Sequence, residues 1–187
     1  MSVRKPRRER PPLNPATLNE LALRYVGRFA TTRVKLKSYL SRKVRERGWY
    51  DGPGPDLDAL VERFAEIGYV DDAGYALSKS RSLTARGYGK QRVVQSLRVA
   101  GVGDDDGAEA RAHADQEAVT AALRYARRKR VGPYAAAQGD MRDRQKALAA
   151  MVRAGHNFTL SRAIVDLPSG EEPDEEALRE AAGRSPD

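Results

Sequence analysis

Residues 56–101 read DLDALVERFAEIGYVDDAGYALSKSRSLTARGYGKQRVVQSLRVAG. This stretch predicts three consecutive helices, because three sets of apolar or small residues recur at intervals of three or four. Asp56 lies one position before the first set, where a carboxylate can accept hydrogen bonds from free backbone N–H groups, and Asp71–Asp72 precede the second set. Each set ends at a glycine, most visibly at Gly68 and in the turn Gly87–Gly89. The order is therefore helix, turn, helix, turn, helix.

The second and third predicted helices are strongly basic. Between Asp72 and Asp104 the sequence has no acidic residue. The cations that stand there unopposed are Lys79, Arg81, Arg86, Lys90, Arg92 and Arg98.

Two segments of this stretch carry a family resemblance. LDALVERFAEIGYVDDAGYA, residues 57–76, and SRSLTARGYGKQRVVQSLRVAGV, residues 80–102, combine a G-Y-x-D-D turn, a small-residue helix, G-x-G and a basic helix. In this joint pattern the chain resembles the RecX regulatory proteins over roughly residues 17–167, most closely over 57–101 and 144–167. The resemblance implies three tandem three-helix repeats and a partner, the RecA recombinase filament, that the protein binds and restrains.

Composition limits the fold and the function. The chain has 187 residues, a net charge of +8 and no cysteine, and alanine supplies much of its 40% apolar share. Several small helical cores are therefore expected rather than one large core, and no run of residues alternates as a strand would. We predict an all-α fold. The absence of a long apolar run and of a secretory signal favours the cytoplasm.

A repeat is visible in the helical pattern. Ala22-Leu23-Arg24-Tyr25 returns as Ala122-Leu123-Arg124-Tyr125, with a weaker copy at Ala76-Leu77 between them. This spacing is typical of helical repeats, which stack into an elongated, curved body. The predicted divisions are a disordered basic arm (1–15), three repeats (16–68, 69–118 and 119–167) and an acidic tail (168–187).

Three local predictions can be checked against a structure. Thr17 and Glu20 are expected to form a capping box at the start of the first helix. Residues 103–112 give only a weak helical signal. Leu60, Phe64, Leu77 and Leu97 are expected to share the core of the central stretch.

We find no pattern of an enzyme active site. The two histidines lack neighbouring metal ligands, and His156 is interpreted as a helix-end residue. Capping explains Asp71–Asp72 better than metal binding does, and no nucleophile has a base at hand. The sequence therefore predicts a protein without catalytic residues, metal or cofactor.

The basic faces are the remaining functional signal. Between Arg24 and Gly48 there are nine cations and one acid, Glu46. Unopposed charge of one sign favours a polyanion or an acidic protein surface as partner. With the resemblance, this predicts a monomer that contacts a RecA filament, and single- or double-stranded DNA within it, and that mainly inhibits ATPase and strand exchange in recombination, DNA repair and the SOS response. The predicted partner-binding residues are Arg24, Arg28, Lys35, Arg42, Arg45, Lys79, Arg81, Lys90, Arg92, Arg98, Arg127, Arg128 and Arg130.

The alternative is a helical DNA-binding protein or repressor that acts directly on duplex DNA. The turn Gly87–Gly89 would then belong to a helix-turn-helix, with Lys90, Arg92, Gln95 and Arg98 facing the major groove.

Overall fold

A computed structural model describes residues 11–50 and 52–183. Within these ranges the chain is helical, with one isolated bridge between Leu13 and Trp49 and no strand. The all-α prediction is confirmed. A short 3-10 helix, Gly132–Tyr134, follows the seventh α-helix. The α-helices are α1 (Pro15–Val26), α2 (Arg33–Arg47), α3 (Leu57–Glu66), α4 (Asp72–Ala85), α5 (Lys90–Ala100), α6 (Ala108–Gln116), α7 (Ala118–Lys129), α8 (Met141–Arg153), α9 (Phe158–Asp166) and α10 (Glu175–Gly183).

The chain divides into two compact units, with the boundary after Asp72. The first unit contains α1 to α3, and the second contains α4 to α10 apart from the first residue of α4. The boundary lies at the end of the segment Gly68–Asp72, which the sequence marks as a turn.

The described residues of the first unit form one hydrophobic cluster, to which all three of its helices contribute. Phe64 on α3 is 1% exposed and packs with Leu36 and Leu40 of α2, which are fully buried. The predicted cap of α3 is confirmed, because the Asp56 carboxylate accepts a hydrogen bond from the N–H of Ala59 at 3.0 Å. Leu60 is only partly buried, at the edge of the cluster.

Residues 11–14, which directly precede α1, are ordered, and this corrects the prediction of a disordered arm (1–15) over its last residues. Leu13 is fully buried, its N–H donates to the Gly48 carbonyl at 2.9 Å, and its own carbonyl accepts from Tyr50 at 2.9 Å. The Arg47 guanidinium donates to the Pro11 carbonyl. One apolar side chain in a Pro- and Arg-rich stretch was sufficient to tie residues 11–15 to α2. Residues 1–10 lie outside the described residues.

The predicted capping box of α1 was placed too late. Asn14 is the N-cap, and its side chain accepts from the Thr17 N–H at 2.9 Å while the Thr17 hydroxyl accepts from the Asn14 N–H at 2.9 Å. Pro15 occupies the first helical position, where its missing N–H and fixed φ cost nothing. The helix therefore starts three residues before the position expected from Thr17 and Glu20.

Asp72 contributes to a cap that its own neighbours in the sequence do not indicate. It is the first residue of α4, and its buried carboxylate accepts a hydrogen bond from the Arg33 N–H at 2.9 Å, at the start of α2. The Arg33 guanidinium lies 3.8 Å from the same carboxylate. Local sequence could not assign this role, because the two residues are separated by most of the first unit.

The second unit contains two hydrophobic clusters. The first joins α4, α5 and α6 through Ala76, Leu97 and Ala110. The weak helical signal over 103–112 corresponds to α6, which buries small alanines and so lacks strong periodicity. The prediction that Leu60, Phe64, Leu77 and Leu97 share one core is wrong, because Phe64 and Leu97 belong to different clusters and Leu77 is only partly buried.

The other cluster of the second unit joins α7, α8, α9 and α10. Met151 and Ile164 are fully buried in it, together with Leu178 from α10. The prediction that residues 168–187 form only an acidic tail is therefore wrong over Glu175–Gly183. That segment is an amphipathic helix that buries two apolar residues, Leu178 and Ala181. Acidic residues surround them in the sequence, so the segment has no apolar run that would indicate a packed helix.

A direct backbone contact joins α5 to the end of α8. The Gly89 N–H donates to the Ala154 carbonyl at 3.0 Å, and the Gln91 N–H donates to the Gly155 carbonyl at 3.0 Å. The free donors at the start of α5 are thus paired with acceptors at the end of α8. The positive end of the α5 dipole therefore faces the negative end of the α8 dipole. No side chain fits between them, because a Cβ at Gly89 would lie 2.2 Å from the Gly155 oxygen.

The same turn also contacts α7. Gly87 adopts a φ of +76°, and a Cβ there would lie 3.0 Å from the Tyr125 backbone nitrogen. Arg124 donates to the Thr84 carbonyl at 3.0 Å, and Arg128 donates to the Arg86 carbonyl. Two arginines of α7 therefore satisfy carbonyls at the end of α4, where cations are also favoured by the helix dipole.

His156 completes this joint. It lies between the end of α8 and the start of α9, as the sequence predicted, and its Nε2 is 3.2 Å from the Gly87 carbonyl oxygen. The imidazole packs edge-on against the Tyr125 ring, with 5.5 Å between the ring centroids. Burial, together with the smaller effect of the nearby Arg128, lowers the pKa of His156 to about 4, although the hydrogen bond to Gly87 acts in the opposite direction.

The repeated tetrapeptides occupy similar environments. Ala22 on α1 and Ala122 on α7 are both fully buried, and Arg24 and Arg124 are both exposed. The first nine helices also supply the three clusters in consecutive groups of three. That these groups are copies of one repeat stays a prediction.

Phe64→Ala should destabilise the first unit by about 3–5 kcal/mol, because it removes a buried ring and leaves a cavity. Urea unfolding measures this loss. Ile67→Ala is the control, since Ile67 is 59% exposed. A loss below about 1 kcal/mol for Phe64→Ala, the range of surface changes, would contradict its place in the core.

Gly89→Ala should destabilise the second unit by at least about 1–3 kcal/mol, because the added Cβ must push two backbones apart. Thermal unfolding of the full chain measures the effect. Gly103→Ala is the matched control, since a Cβ at Gly103 meets nothing within 4 Å. Equal melting temperatures for the two variants would show that the α5–α8 contact is looser than described.

The lowered pKa of His156 makes the stability of the second unit depend on pH. The unfolded chain takes up a proton near pH 6.5 and the folded chain only near pH 4, so stability is complete above pH 6.5 and falls as the pH drops towards 4. In that window the free energy of unfolding of the wild type should fall by up to about 1.4 kcal/mol per pH unit relative to that of His156→Gln, whose side chain cannot titrate. Unfolding of both proteins between pH 7.5 and 4.5 measures the difference, and a difference that does not change with pH would contradict a buried neutral imidazole.

Candidate polyanion-binding groove

A groove of about 910 Å³ lies within the second unit, between the turn at Tyr88, the end of α7 and one face of α8. Its position follows from the α5–α8 joint, which brings Arg92 and Arg153 to the same opening. Among the described residues that line it, six are cations and one, Asp143, is an acid. The cations are Arg86, Arg92, Arg128, Lys129, Lys146 and Arg153.

Tyr88 forms part of the floor and holds two of these arginines. The Arg86 and Arg92 guanidinium carbons lie 5.5 Å and 5.9 Å from the centre of its ring. The ring also packs against both hydrophobic clusters of the second unit, so it is a fixed platform. A guanidinium over an aromatic face keeps N–H donors at its edge, where phosphate or carboxylate oxygens can bind.

Arg128 has a structural and an electrostatic role at once. Besides its hydrogen bond to the Arg86 carbonyl, its guanidinium carbon lies 5.2 Å from the centre of the Tyr125 ring. The side chain is therefore anchored to α4 and α7 while its charge contributes to the groove. Removing it would disturb packing as well as charge.

The groove has a large excess of positive charge. Asp143 lies in the first turn of α8 and is 3.2 Å from the Lys146 ammonium, so its charge is already neutralised locally. A cleft lined by one sign of charge concentrates its field and attracts ions of the opposite sign. The arrangement suits a polyanion, and its cations have no pattern that would activate a nucleophile.

Only two of the predicted binding residues, Arg92 and Arg128, line this groove. Two more belong to the same unit. Arg127 stacks on Tyr134 at 4.9 Å, and Arg130 lines a neighbouring cavity of about 300 Å³. Lys79, Arg81 and Arg98 are not among the lining residues.

Sequence reasoning missed Arg86, Lys129, Lys146, Arg153 and Tyr88 as members of one site. The spacing of Lys146, Ala150 and Arg153 places them on one face of α8 and was available as a signal. Their approach to the turn at Tyr88 depends on the long-range joint, for which the sequence has no local pattern.

The prediction that the basic residues are unopposed needs correction. On α5, Lys90 forms an ion pair with Asp115 of α6 at 2.7 Å. Lys90 and Arg92 are about 200° apart around the helix, so they do not share a face. Asp115 was overlooked because it follows the acid-free span in sequence.

The predicted cations of the first unit are also partly neutralised. Arg24 pairs with Glu20 at 3.4 Å, and Arg42 pairs with Glu46 at 3.7 Å. Arg28 lies over the Phe29 ring at 5.9 Å, whereas Lys35 is half-buried and Arg45 exposed. These five residues do not form a cluster of cations comparable to the one that lines the groove.

The geometry does not favour the helix-turn-helix alternative. A recognition helix presents its N-terminal residues to base edges. In α5 the backbone donors of Gly89 and Gln91 are paired with the end of α8, and Lys90 is paired with Asp115. The start of α5 is thus occupied by contacts within the second unit.

Other classes of site are not found among residues 11–50 and 52–183. No three His, Asp or Glu side chains there could jointly hold a metal ion. None of the described helices has the length and apolar character that a membrane span requires.

The comparisons with known proteins agree on one family. No protein-family model matches the chain. The regulatory protein RecX of Myxococcus xanthus (strain DK1622) is 33% identical over 171 residues, which cover 87% of this chain and 91% of the relative. The regulatory protein RecX of Agrobacterium fabrum (strain C58 / ATCC 33970) is 27% identical over 147 residues, 76% of this chain and 78% of the relative.

Two solved structures share the fold. The crystal structure of RecX from Lactobacillus salivarius matches 80% of this chain and 93% of its own, with a TM-score of 0.57 and 17% identity. A second crystal structure, of a regulatory protein RecX, matches 81% of this chain and 72% of its own, with a TM-score of 0.58 and 22% identity. Because a relative of 33% identity is matched over nearly its whole length, the chain belongs to the RecX family of regulatory proteins.

Proposed function

We propose that this protein binds filaments of the RecA recombinase and mainly inhibits their ATPase and strand-exchange activities, in the cytoplasm and as a monomer. Its roles would lie in recombination, DNA repair and the SOS response. Membership of a family of regulatory proteins supports the proposal. The observation that carries it is the groove with six cations and a single, already paired carboxylate.

The groove would bind either phosphates of the DNA in the filament or acidic side chains on the recombinase. Arginine suits both, because its planar guanidinium binds phosphate and carboxylate in two-pronged fashion. Arg86 and Arg92 are restrained over Tyr88, so little of their rotational freedom remains to be lost on binding. Arg130, which lines the neighbouring cavity, would add a contact beside this centre.

Inhibition would follow from binding one state of the filament more tightly than others. A filament that hydrolyses ATP and exchanges strands must change the arrangement of its protomers and DNA. A protein that contacts several of these parts at once, and binds one arrangement preferentially, shifts the population towards it. The proposal therefore requires no catalytic residue in this chain.

Direct action on duplex DNA is the competing function. It predicts binding to a preferred duplex without the recombinase, at physiological salt. The proposed function predicts weak binding to bare duplex, with a steep salt dependence typical of phosphate contacts alone.

Arg92→Glu combined with Arg153→Glu should abolish most of the inhibition of RecA ATPase and strand exchange. Both residues are exposed, so their reversal should leave the melting temperature nearly unchanged. Two lost charge-assisted contacts should raise the half-inhibitory concentration at least about tenfold. Purified RecA, single-stranded DNA and ATP suffice for the ATPase measurement.

The matched control is Arg81→Glu combined with Arg98→Glu. These residues are also exposed and lie in the second unit, and the control changes the net charge by the same amount. Its inhibition should stay close to wild type. A folded groove variant that inhibits as well as wild type would contradict the role of the groove, and a wild-type protein without effect on RecA would contradict the proposed function itself.

A further inference from the structure

A second groove, of about 560 Å³, lies on the faces of α8 and α9 and is chemically different from the basic groove. Its lining residues recur three or four positions apart along each helix, so each helix presents one continuous face. The residues that matter here are Met141, Arg144 and Leu148 of α8, and Phe158, Arg162 and Val165 of α9.

The groove has an apolar floor and exposed apolar walls. Val165 is buried at its base and Leu148 is half-buried, whereas Met141 is 76% exposed and Phe158 is 45% exposed. Large apolar side chains clustered on the surface of a protein indicate an interaction site more often than single ones do. Methionine adapts its shape to different partners, and a phenylalanine ring supplies a rigid contact surface.

The polar side chains of the groove favour an acidic occupant. Arg144 and Arg162 contribute two positive charges against one carboxylate, Asp166, which lies 3.5 Å from the Arg162 guanidinium. The Nε of Arg144 donates to the Gly139 carbonyl at 3.3 Å, which restrains its guanidinium beside the groove. An apolar slot between two arginines is complementary to apolar anchors flanked by carboxylates.

One helix of this chain, α10, has the properties expected of such an occupant. The helix α10 packs against α7 and α9, buries Leu178 and Ala181, and carries exposed acids including Glu175, Glu176 and Glu180. One side of α9 thus already receives an acidic amphipathic helix with anchors three residues apart. The groove on the α8 side of α9 offers an apolar floor and two arginines, at a volume typical of ligand sites.

We infer that the α8–α9 groove is a docking site for an acidic amphipathic helix of the protein partner, inserted by anchors at i, i+3 or i+4 spacing. The inference rests on the proposed function, which makes that partner the recombinase. The inference assigns a different kind of contact to each of the two grooves of the second unit. The basic groove binds a polyanionic surface, and the α8–α9 groove binds one protein segment.

Photo-crosslinking tests the location and the chemistry of the occupant together. A p-benzoylphenylalanine placed at position 158 substitutes for an exposed ring, and position 99, whose valine is exposed on α5, is the control. The probe is RecA assembled on single-stranded DNA with a non-hydrolysable ATP analogue. Position 158 should yield an adduct with RecA, and peptide mapping should place it in a helix with carboxylates three or four residues apart, whereas position 99 should yield little.

Two variants test the energetic contribution of the groove. Met141→Ser combined with Phe158→Ser should weaken binding to the RecA filament at least about tenfold, as expected for buried anchors. Arg162→Glu is the second variant and should act in the same direction while leaving the apolar packing intact. Its matched control is Arg179→Glu, because both arginines are exposed and pair with an acid four residues away.

The possible outcomes distinguish failure of this inference from failure of the proposed function. If wild type inhibits RecA but position 158 gives no adduct, or gives one only with DNA, with a second copy of this chain or with a basic segment, this inference is wrong and the proposed function stands. Equal losses for Arg162→Glu and Arg179→Glu would also overturn it. A wild-type chain that neither binds nor inhibits RecA overturns the proposed function and this inference with it.

Discussion

The second unit depends on one backbone contact, in which the start of α5 meets the end of α8 at Gly89 and Gly155. Two N–H groups that a helix start leaves unpaired are satisfied by two carbonyls that a helix end leaves unpaired. Because a side chain at either glycine would collide with the other backbone, the distance between the two helices is set by the absence of Cβ atoms. The basic groove exists because this contact places Arg92 of one helix beside Arg153 of the other.

Collecting six cations in one groove has an electrostatic cost that the fold offsets by anchoring. Arg128 is tied to a carbonyl and to the Tyr125 ring, and two further arginines lie over Tyr88. The charges repel one another, but they are held on rigid helices and remain solvated until a partner arrives. Such a preorganised site gains most when a polyanion replaces the water around it. The same glycine contact thus links the stability of the second unit to its proposed binding.

The sequence was sufficient for features that depend on neighbours along the chain. The all-α class, the Asp56 cap and the family could be predicted from periodicity, turn residues and a local motif. Features that depend on contacts between distant residues could not be predicted in this way. Asp72 caps a helix of the same unit from 39 residues away, and Lys90 meets an acid on the next helix. Leu13, and Leu178 with Ala181, are apolar anchors in segments whose average composition suggests a solvated chain. Only two of the six cations of the basic groove were among the predicted binding residues for the same reason, since the six come from three separate segments of the sequence.

Hydrogen–deuterium exchange of this chain, with and without the RecA filament, tests the central claim that the basic groove of the second unit faces the partner. The account predicts that added filament slows exchange in the segments that line the groove, around residues 86–92, 125–131 and 143–154, and leaves the first unit less affected. Slowed exchange confined to the first unit, or no slowing at the groove under conditions where RecA ATPase is inhibited, would contradict it.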